Sequence, residues 1–163
     1  MRAPTLATVA ALALVACAPR PQTPAGPGVA SMALFDPARM ADAWHVVAET
    51  GPACGPLAET WAPDGAGRFR ITGTACGPGG ARAFLDAATV SGPGRFTRTG
   101  AAGTRPVWLL WADADDRIAV IGAPDRSYAR ILARRPQPSA DLMAAAREVL
   151  AFNGYDPASL HPL

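Results

Sequence analysis

Between residues 43 and 134 short runs with the apolar and polar patterning of strands repeat, and glycine and proline separate them at short intervals. Leu57-Ala58-Glu59-Thr60-Trp61 and Arg68-Phe69-Arg70-Ile71-Thr72 both alternate in the strand manner, and Pro63-Asp64-Gly65-Ala66-Gly67 between them is turn chemistry. The same pattern predicts strands near 43–50, 56–62, 67–76, 82–90, 94–99, 106–112, 117–123 and 127–134. Gly77-Pro78-Gly79-Gly80, Gly92-Pro93-Gly94 and Gly100 to Gly103 supply turns. Eight short strands so spaced predict a mainly β domain, a closed up-and-down barrel or a sandwich. Before them, Asp36-Pro37 reads as a cap followed by proline at the first position of one short helical turn. After them the period changes. Leu142, Met143, Ala146, Val149 and Leu150 recur at helical spacing, with Ser139 as cap, Asp141 in the first turn and Asn153-Gly154 as the stop. The apolar stripe of this helix needs cover, which places it against the outside of the sheet with Arg147 and Glu148 toward water.

The start of the chain belongs to a different class. Met1-Arg2 is a short basic head, and residues 6–16 (LATVAALALVA) form an apolar run that fits an export signal and is too short to span a bilayer comfortably. It ends in Leu14-Val15-Ala16-Cys17, which resembles the bacterial lipobox, so residues 1–16 read as a signal peptide and Cys17 as the lipidated N-terminus. Acyl chains contribute about 0.8 kcal/mol per buried methylene, so several on one cysteine anchor a protein without any membrane-spanning helix. Ala18, where an aspartate would favour retention, implies the route to the outer membrane, with the domain facing the periplasm. Residues 17–34, rich in proline and glycine, read as the lipidated cysteine and its tether, and residues 35–163 as one barrel domain.

Composition narrows the rest. Half the residues are apolar and 17% charged, which suits a single domain with a real core and excludes disorder throughout. The net charge of +2 comes from arginines alone and these are scattered, so there is no nucleic-acid footprint. With Cys17 spent on lipid, Cys54 and Cys76 form an even pair in an oxidising compartment. If Trp61 faces Phe69 across the 57–72 hairpin, the same register sets Cys54 opposite Cys76, and the cross-link is worth roughly 3 kcal/mol. Two cysteines with only His45 and His161 make a poor metal set, so no metal or other cofactor is expected. Ser127, His45 and Asp125 can be drawn as a triad, but no glycine-flanked nucleophile elbow supports it, and no enzyme is expected. Asp113, Asp115 and Asp116 read as a solvated turn rather than a calcium site.

The order of elements, a helical turn, a tryptophan opening the first strand, eight strands and one helix, resembles the lipocalin family, and most closely its bacterial outer-membrane lipoprotein branch. The residues from Pro124-Asp125-Arg126-Ser127-Tyr128 through Ile131-Leu132-Ala133-Arg134-Arg135-Pro136 are similar to that branch's P-D-R-x-Y-x-x-I-L-x-R-x-P segment, followed by Gly154-Tyr155-Asp156 and Leu160. Arg39-Met40-Ala41-Asp42-Ala43-Trp44 matches R-Y-x-G-x-W more loosely, with Asp42 replacing the glycine. The resemblance implies an eight-stranded antiparallel up-and-down barrel with the C-terminal helix packed outside, closed at the bottom by Trp44 and Arg134. It also implies a small hydrophobic ligand, a fatty acid or lysophospholipid, inside. Candidate wall residues are Phe69, Phe84, Trp108 and Tyr128, with Arg70 or Arg130 meeting an anionic headgroup. Trp108 and Trp111 should lie on opposite faces of their strand, so that at most one lines the interior. A barrel of this size can hold one ligand or be filled by its own side chains, and the second possibility makes the chain a structural or partner-binding lipoprotein. Neither the ligand's identity nor the oligomeric state follows from the sequence.

Overall fold

The structure is a computed structural model and describes residues 28–163; the segment read as a signal peptide, Cys17 and most of the stretch read as a tether lie outside the described residues. After a 3-10 turn at Pro37–Met40 come β1 (Asp42–Thr50), β2 (Leu57–Pro63), β3 (Arg68–Gly77), β4 (Gly80–Gly92), β5 (Arg95–Gly100), β6 (Gly103–Ala112), β7 (Ile118–Gly122) and β8 (Ala129–Ala133). Each strand pairs antiparallel with its predecessor, and β1 pairs with both β2 and β8, so the sheet closes into an eight-stranded up-and-down barrel. Helix α1 (Ala140–Phe152) and a three-residue strand, β9 (Leu160–Pro162), complete the chain. The expected architecture is therefore observed, with β9 as an addition. It pairs with Ala48–Thr50 of β1, taking over where the β2 pairing stops at Val46.

Local chemistry sets these elements. The Asp36 carboxylate accepts from the Ala38 N–H and proline occupies the first helical turn, which nucleates the 3-10 segment. The β4–β5 turn needs glycine at position 94, whose φ is +60° and whose absent Cβ would meet the Met32 backbone oxygen at 2.5 Å. At the end of α1, Gly154 adopts a φ of +76° just past the Asn153 cap. Ser139 caps the helix start in extended geometry without a side-chain hydrogen bond.

Alternation divides the apolar residues into two cores. The inner one, inside the barrel, gathers Trp44, Val46, Leu57, Trp61, Phe69, Ile71, Phe96, Val107, Leu109, Ile121 and Leu132. The outer one seats α1 through Ala146 and Leu150 on Val47, Leu110, Ile118, Val120, Ile131 and Tyr155. Two details differ from expectation. The β2–β3 register places Trp61 opposite Ile71 and Phe69 opposite Pro63, two residues from the predicted alignment. Cys54 precedes β2 rather than lying within it, and the Cys54–Cys76 disulfide forms from that loop with a Cα separation of 5.6 Å. Secondly, a bulge between Leu109 and Trp111 resets the alternation of β6, and Trp108 and Trp111 both end on the outer core.

The barrel has two unlike ends. The start of β1, the end of β8 and the β2–β3, β4–β5 and β6–β7 turns share one end, which the 3-10 turn covers with Phe35 and Met40. The β1–β2, β3–β4, β5–β6 and β7–β8 turns share the other, where the disulfide lies. This second end is the mouth.

Candidate functional site: a charged layer inside the barrel

At the closed end Trp44 stands at the base of β1 and donates its Nε1–H to the Met40 carbonyl at 2.9 Å. The Arg134 guanidinium stacks 3.6 Å from the Trp44 ring centre, and donates to the carbonyls of Ala43 (3.0 Å), Arg39 (3.0 Å) and Asp116 (3.3 Å). Cation–π contact of this kind is worth about 0.5–2 kcal/mol. Above this base Trp61, Phe69 and Phe96 meet edge to face, with ring centres 5.4–6.1 Å apart. The floor of the barrel is therefore solid aromatic packing.

Nearer the mouth the inner wall becomes ionic. Glu59 is fully buried. Its Oε1 accepts from Trp61 Nε1 at 2.8 Å, and its Oε2 accepts from Arg130 at 2.7 Å and Arg98 at 3.3 Å. Arg130 also donates twice to Glu49, at 2.5 and 3.0 Å, and Arg98 donates to Asp86 at 2.7 Å. Two guanidiniums and three carboxylates thus alternate across the lumen. Burial alone disfavours charge on Glu59, but Arg130 and Arg98 outweigh it and hold the carboxyl below its ordinary range. Burial likewise opposes the charges on Arg98 and Arg130, and the facing Glu59 and neighbouring groups more than restore them.

Past this layer lie Tyr128, Arg105 and Phe84. The Tyr128 ring lies between two cations, with Arg105 5.0 Å and Arg130 5.5 Å from its centre, and Arg98 sits 4.8 Å from the Phe84 ring centre. Burial pushes the Tyr128 phenol up, so it stays protonated and able to donate. The Arg105 Nε and the Tyr128 hydroxyl are both shielded from water and have no hydrogen-bond partner.

Among the sequence candidates, Phe69, Phe84, Tyr128 and Arg130 all lie on the inner face, Phe69 in the packed floor and the other three around the ionic layer. Trp108 and Arg70 do not join them. Trp108 belongs to the outer core, with Arg95 over its ring at 4.3 Å. Arg70 alternates outward between Phe69 and Ile71 and lies exposed, 4.0 Å from Asp64. Glu49, Glu59, Asp86, Arg98 and Arg105 were missed, although four are in phase with inward apolar neighbours, Glu59 with Leu57 and Trp61, Asp86 with Phe84 and Ala88, Arg98 with Phe96 and Arg105 with Val107, while the bulge between Val46 and Ala48 turns Glu49 inward.

The remaining chemistry is dispersed. Ser127 donates to Asp125 at 2.6 Å in the exposed β7–β8 turn, whereas His45 sits opposite Ala133 at the far end of β8. The Asp113 carboxylate accepts from the backbone N–H groups of Arg117 (2.6 Å) and Ile118 (3.0 Å), which makes it the organiser of the β6–β7 turn. Among the described residues no group of three His, Cys, Asp or Glu is placed to hold a metal ion, and no helix is long and apolar enough to cross a membrane. Three clefts mark the surface. One of about 510 Å³ lies beside Arg117, Arg134 and Arg135, a second of about 560 Å³ between α1 and Trp111, and a third of about 240 Å³ near Asp36 and Phe69.

A closed up-and-down ring of eight strands, an outer helix, and a base sealed by stacked tryptophan and arginine together define a lipocalin-type barrel. The model of the Lipocalin-like domain family matches residues 74–163, more than half of the chain, and the chain belongs to that family. Its fold is similar to that of lobster apocrustacyanin A1, with a TM-score of 0.65, 13% identity and 78% of each chain covered. It is also similar to H1 crustacyanin from the lobster Homarus americanus (0.62, 14%, covering 76% of this chain and 75% of that one). A third likeness is to the siderocalin Ex-FABP (0.59, 17%, covering 77% and 89%), a protein described as having dual ligand specificities. No curated protein matches the chain in sequence.

Proposed function

We propose that this chain is a lipid-anchored envelope lipocalin, close to the bacterial outer-membrane lipoprotein branch, that binds one small amphipathic ligand, a fatty acid or lysophospholipid, without catalysing a reaction. The observation that carries the reading is the graded inner wall: an aromatic floor, then buried arginines and a tyrosine, then a rim of Phe84, Leu163 and the disulfide packed against the inner core. Such a gradient matches a molecule with one polar and one apolar end. Membership of the lipocalin family and the likeness to a siderocalin support binding as the activity.

Anchoring draws its support from the Leu14-Val15-Ala16-Cys17 segment. The Ala30 N–H donates to the Asn153 side chain at 2.8 Å, and Arg126 of the β7–β8 turn donates to the Asn153 carbonyl at 2.8 Å. From there the chain runs to the closed end, where the Met32 N–H donates to the Leu109 carbonyl at 2.9 Å beside Gly94 of the β4–β5 turn. Labelled palmitate should enter the wild-type protein and not Cys17→Ser; equal labelling of both removes the anchor.

Ligand binding is tested by titrating the purified domain with a fluorescent fatty acid and by native mass analysis for co-purified lipid. Saturation at micromolar concentration supports the carrier; a flat titration with no lipid retained overturns it. One observation favours the second reading, a filled barrel serving assembly: Trp44, Trp61, Phe96 and Ile71 fill the floor and the ion pairs of Glu59 with Arg98 and Arg130 cross the lumen above them. The flat titration is the result that reading expects.

A further inference from the structure

We infer that the ligand enters this barrel head first, its anionic group held by Arg105 Nε and the Tyr128 hydroxyl and its apolar tail directed out toward the rim. The inference rests on the binding reading above and gives that ligand a charge and an orientation opposite to the usual expectation of an oily floor with a polar mouth.

The floor leaves the tail nowhere to go. Trp44, Trp61, Phe69, Phe96 and Ile71 are packed to near-complete burial, and the Glu49–Arg130–Glu59–Arg98–Asp86 ladder lies between them and the mouth. Passing an acyl chain through that ladder would separate charges held at 2.5–3.3 Å, a far costlier event than leaving the tail at the rim.

The ladder also shows which cation is left over. Arg98 has Glu59 and Asp86, and Arg130 has Glu49 and Glu59, so every carboxylate on the inner wall is already engaged. Among the described residues Arg105, paired directly across the strands with Arg98, has no carboxylate within ion-pair distance, and its Nε–H is buried without an acceptor. Beside it the Tyr128 hydroxyl is a second buried donor without a partner. A buried donor left unsatisfied costs about 1–3 kcal/mol, and more when it is charged. Two such donors from neighbouring side chains call for one acceptor bearing negative charge. A carboxylate supplies two oxygens and accepts from both. Phe84, Leu163 and the Cys54–Cys76 bridge, partly buried at the same end, provide the apolar surface against which the first methylenes of a tail would lie.

Dansylamino-undecanoic acid, which carries its fluorophore at the tail end, and the methyl ester of the same molecule separate the possibilities. The acid should bind wild-type protein at least about tenfold more tightly than the ester, the difference expected of a charge-assisted pair. In Arg105→Gln that preference should fall to within about twofold, and Tyr128→Phe should lower acid affinity about fivefold. An unchanged far-UV spectrum and melting temperature of the ligand-free protein show that each variant has kept the shape of the barrel. Equal binding of acid and ester by wild-type protein, or a preference that survives in both variants, overturns the head-first site while leaving the carrier intact. If neither compound binds, the carrier reading itself fails and the head-first site falls with it.

Discussion

Glu59→Gln removes one negative charge from the centre of the inner ladder and little else. The amide keeps the shape of the side chain and still offers an oxygen to Trp61 Nε1, so packing and that bond survive. What is lost is the anion that Arg98 and Arg130 share. Breaking a buried ion pair by removing one partner costs about 3–5 kcal/mol, and because Arg98 keeps Asp86 and Arg130 keeps Glu49 the lower end applies, about 3 kcal/mol. For a domain of this size that is a fall in Tm of roughly 10 °C, readable by far-UV circular dichroism or urea titration. The pH dependence has a fixed sign. Burial opposes the charge, Arg130 and Arg98 overcome that opposition, and the folded pKa lies below the unfolded value of about 4.3. The stabilisation is therefore complete above about pH 5 and is lost as pH falls through the folded value, so wild type and variant should converge on acidification. A variant within about 1 kcal/mol of wild type at pH 7, or a gap that widens below pH 4, would falsify the ladder as a source of stability.

Three further outcomes are expected. Cys54→Ser/Cys76→Ser, or reduction of the wild type, should cost about 3 kcal/mol for a bridge spanning 22 residues, seen as a lowered urea midpoint with an unchanged native spectrum. Arg134→Ala should cost about 2–4 kcal/mol, since it removes the Trp44 stack and three bonds to backbone carbonyls, and tryptophan emission should report a more exposed indole. Asp113→Ala should cost about 1–2 kcal/mol by freeing the Arg117 and Ile118 N–H groups. Burial disfavours the Asp113 charge, but Arg117 and these backbone donors keep its pKa low, so the deficit should vanish at low pH.

Much of the architecture was legible because alternation marks β2 and β3 and clusters of glycine, proline or aspartate mark the turns. All eight barrel strands, the capped 3-10 turn, α1 and the cysteine pair are readable from residue order alone. Register was not. Trp61 and Phe69 are chemically good cross-strand partners, yet they meet diagonally, because the turn after Pro63 is two residues longer than the prediction assumed. Trp111 was misplaced by the bulge at Leu110, which no periodicity reveals, whereas Trp108 is out of step with the inward Val107 and Leu109. The ladder was readable in principle. Glu59 stands between Leu57 and Trp61 on their own face, and a charge in step with the apolar positions is the mark of an inward ion. Counting Arg70 as a headgroup partner inverted the same rule, for it is out of step with Phe69 and Ile71. The short β9 carries too few residues for any pattern.

The ring is fastened by residues from opposite extremes of the domain. β1, which begins at Asp42, must find β8 near residue 130 and then β9 at Leu160–Pro162 before its backbone groups are satisfied on both sides. A ribosome delivers those partners last, so the barrel cannot complete itself while synthesis is under way, and contacts this distant in sequence form slowly. On the export proposed above, that delay is an advantage: an unclosed polypeptide is thin enough to be threaded across a membrane and closes only on the far side.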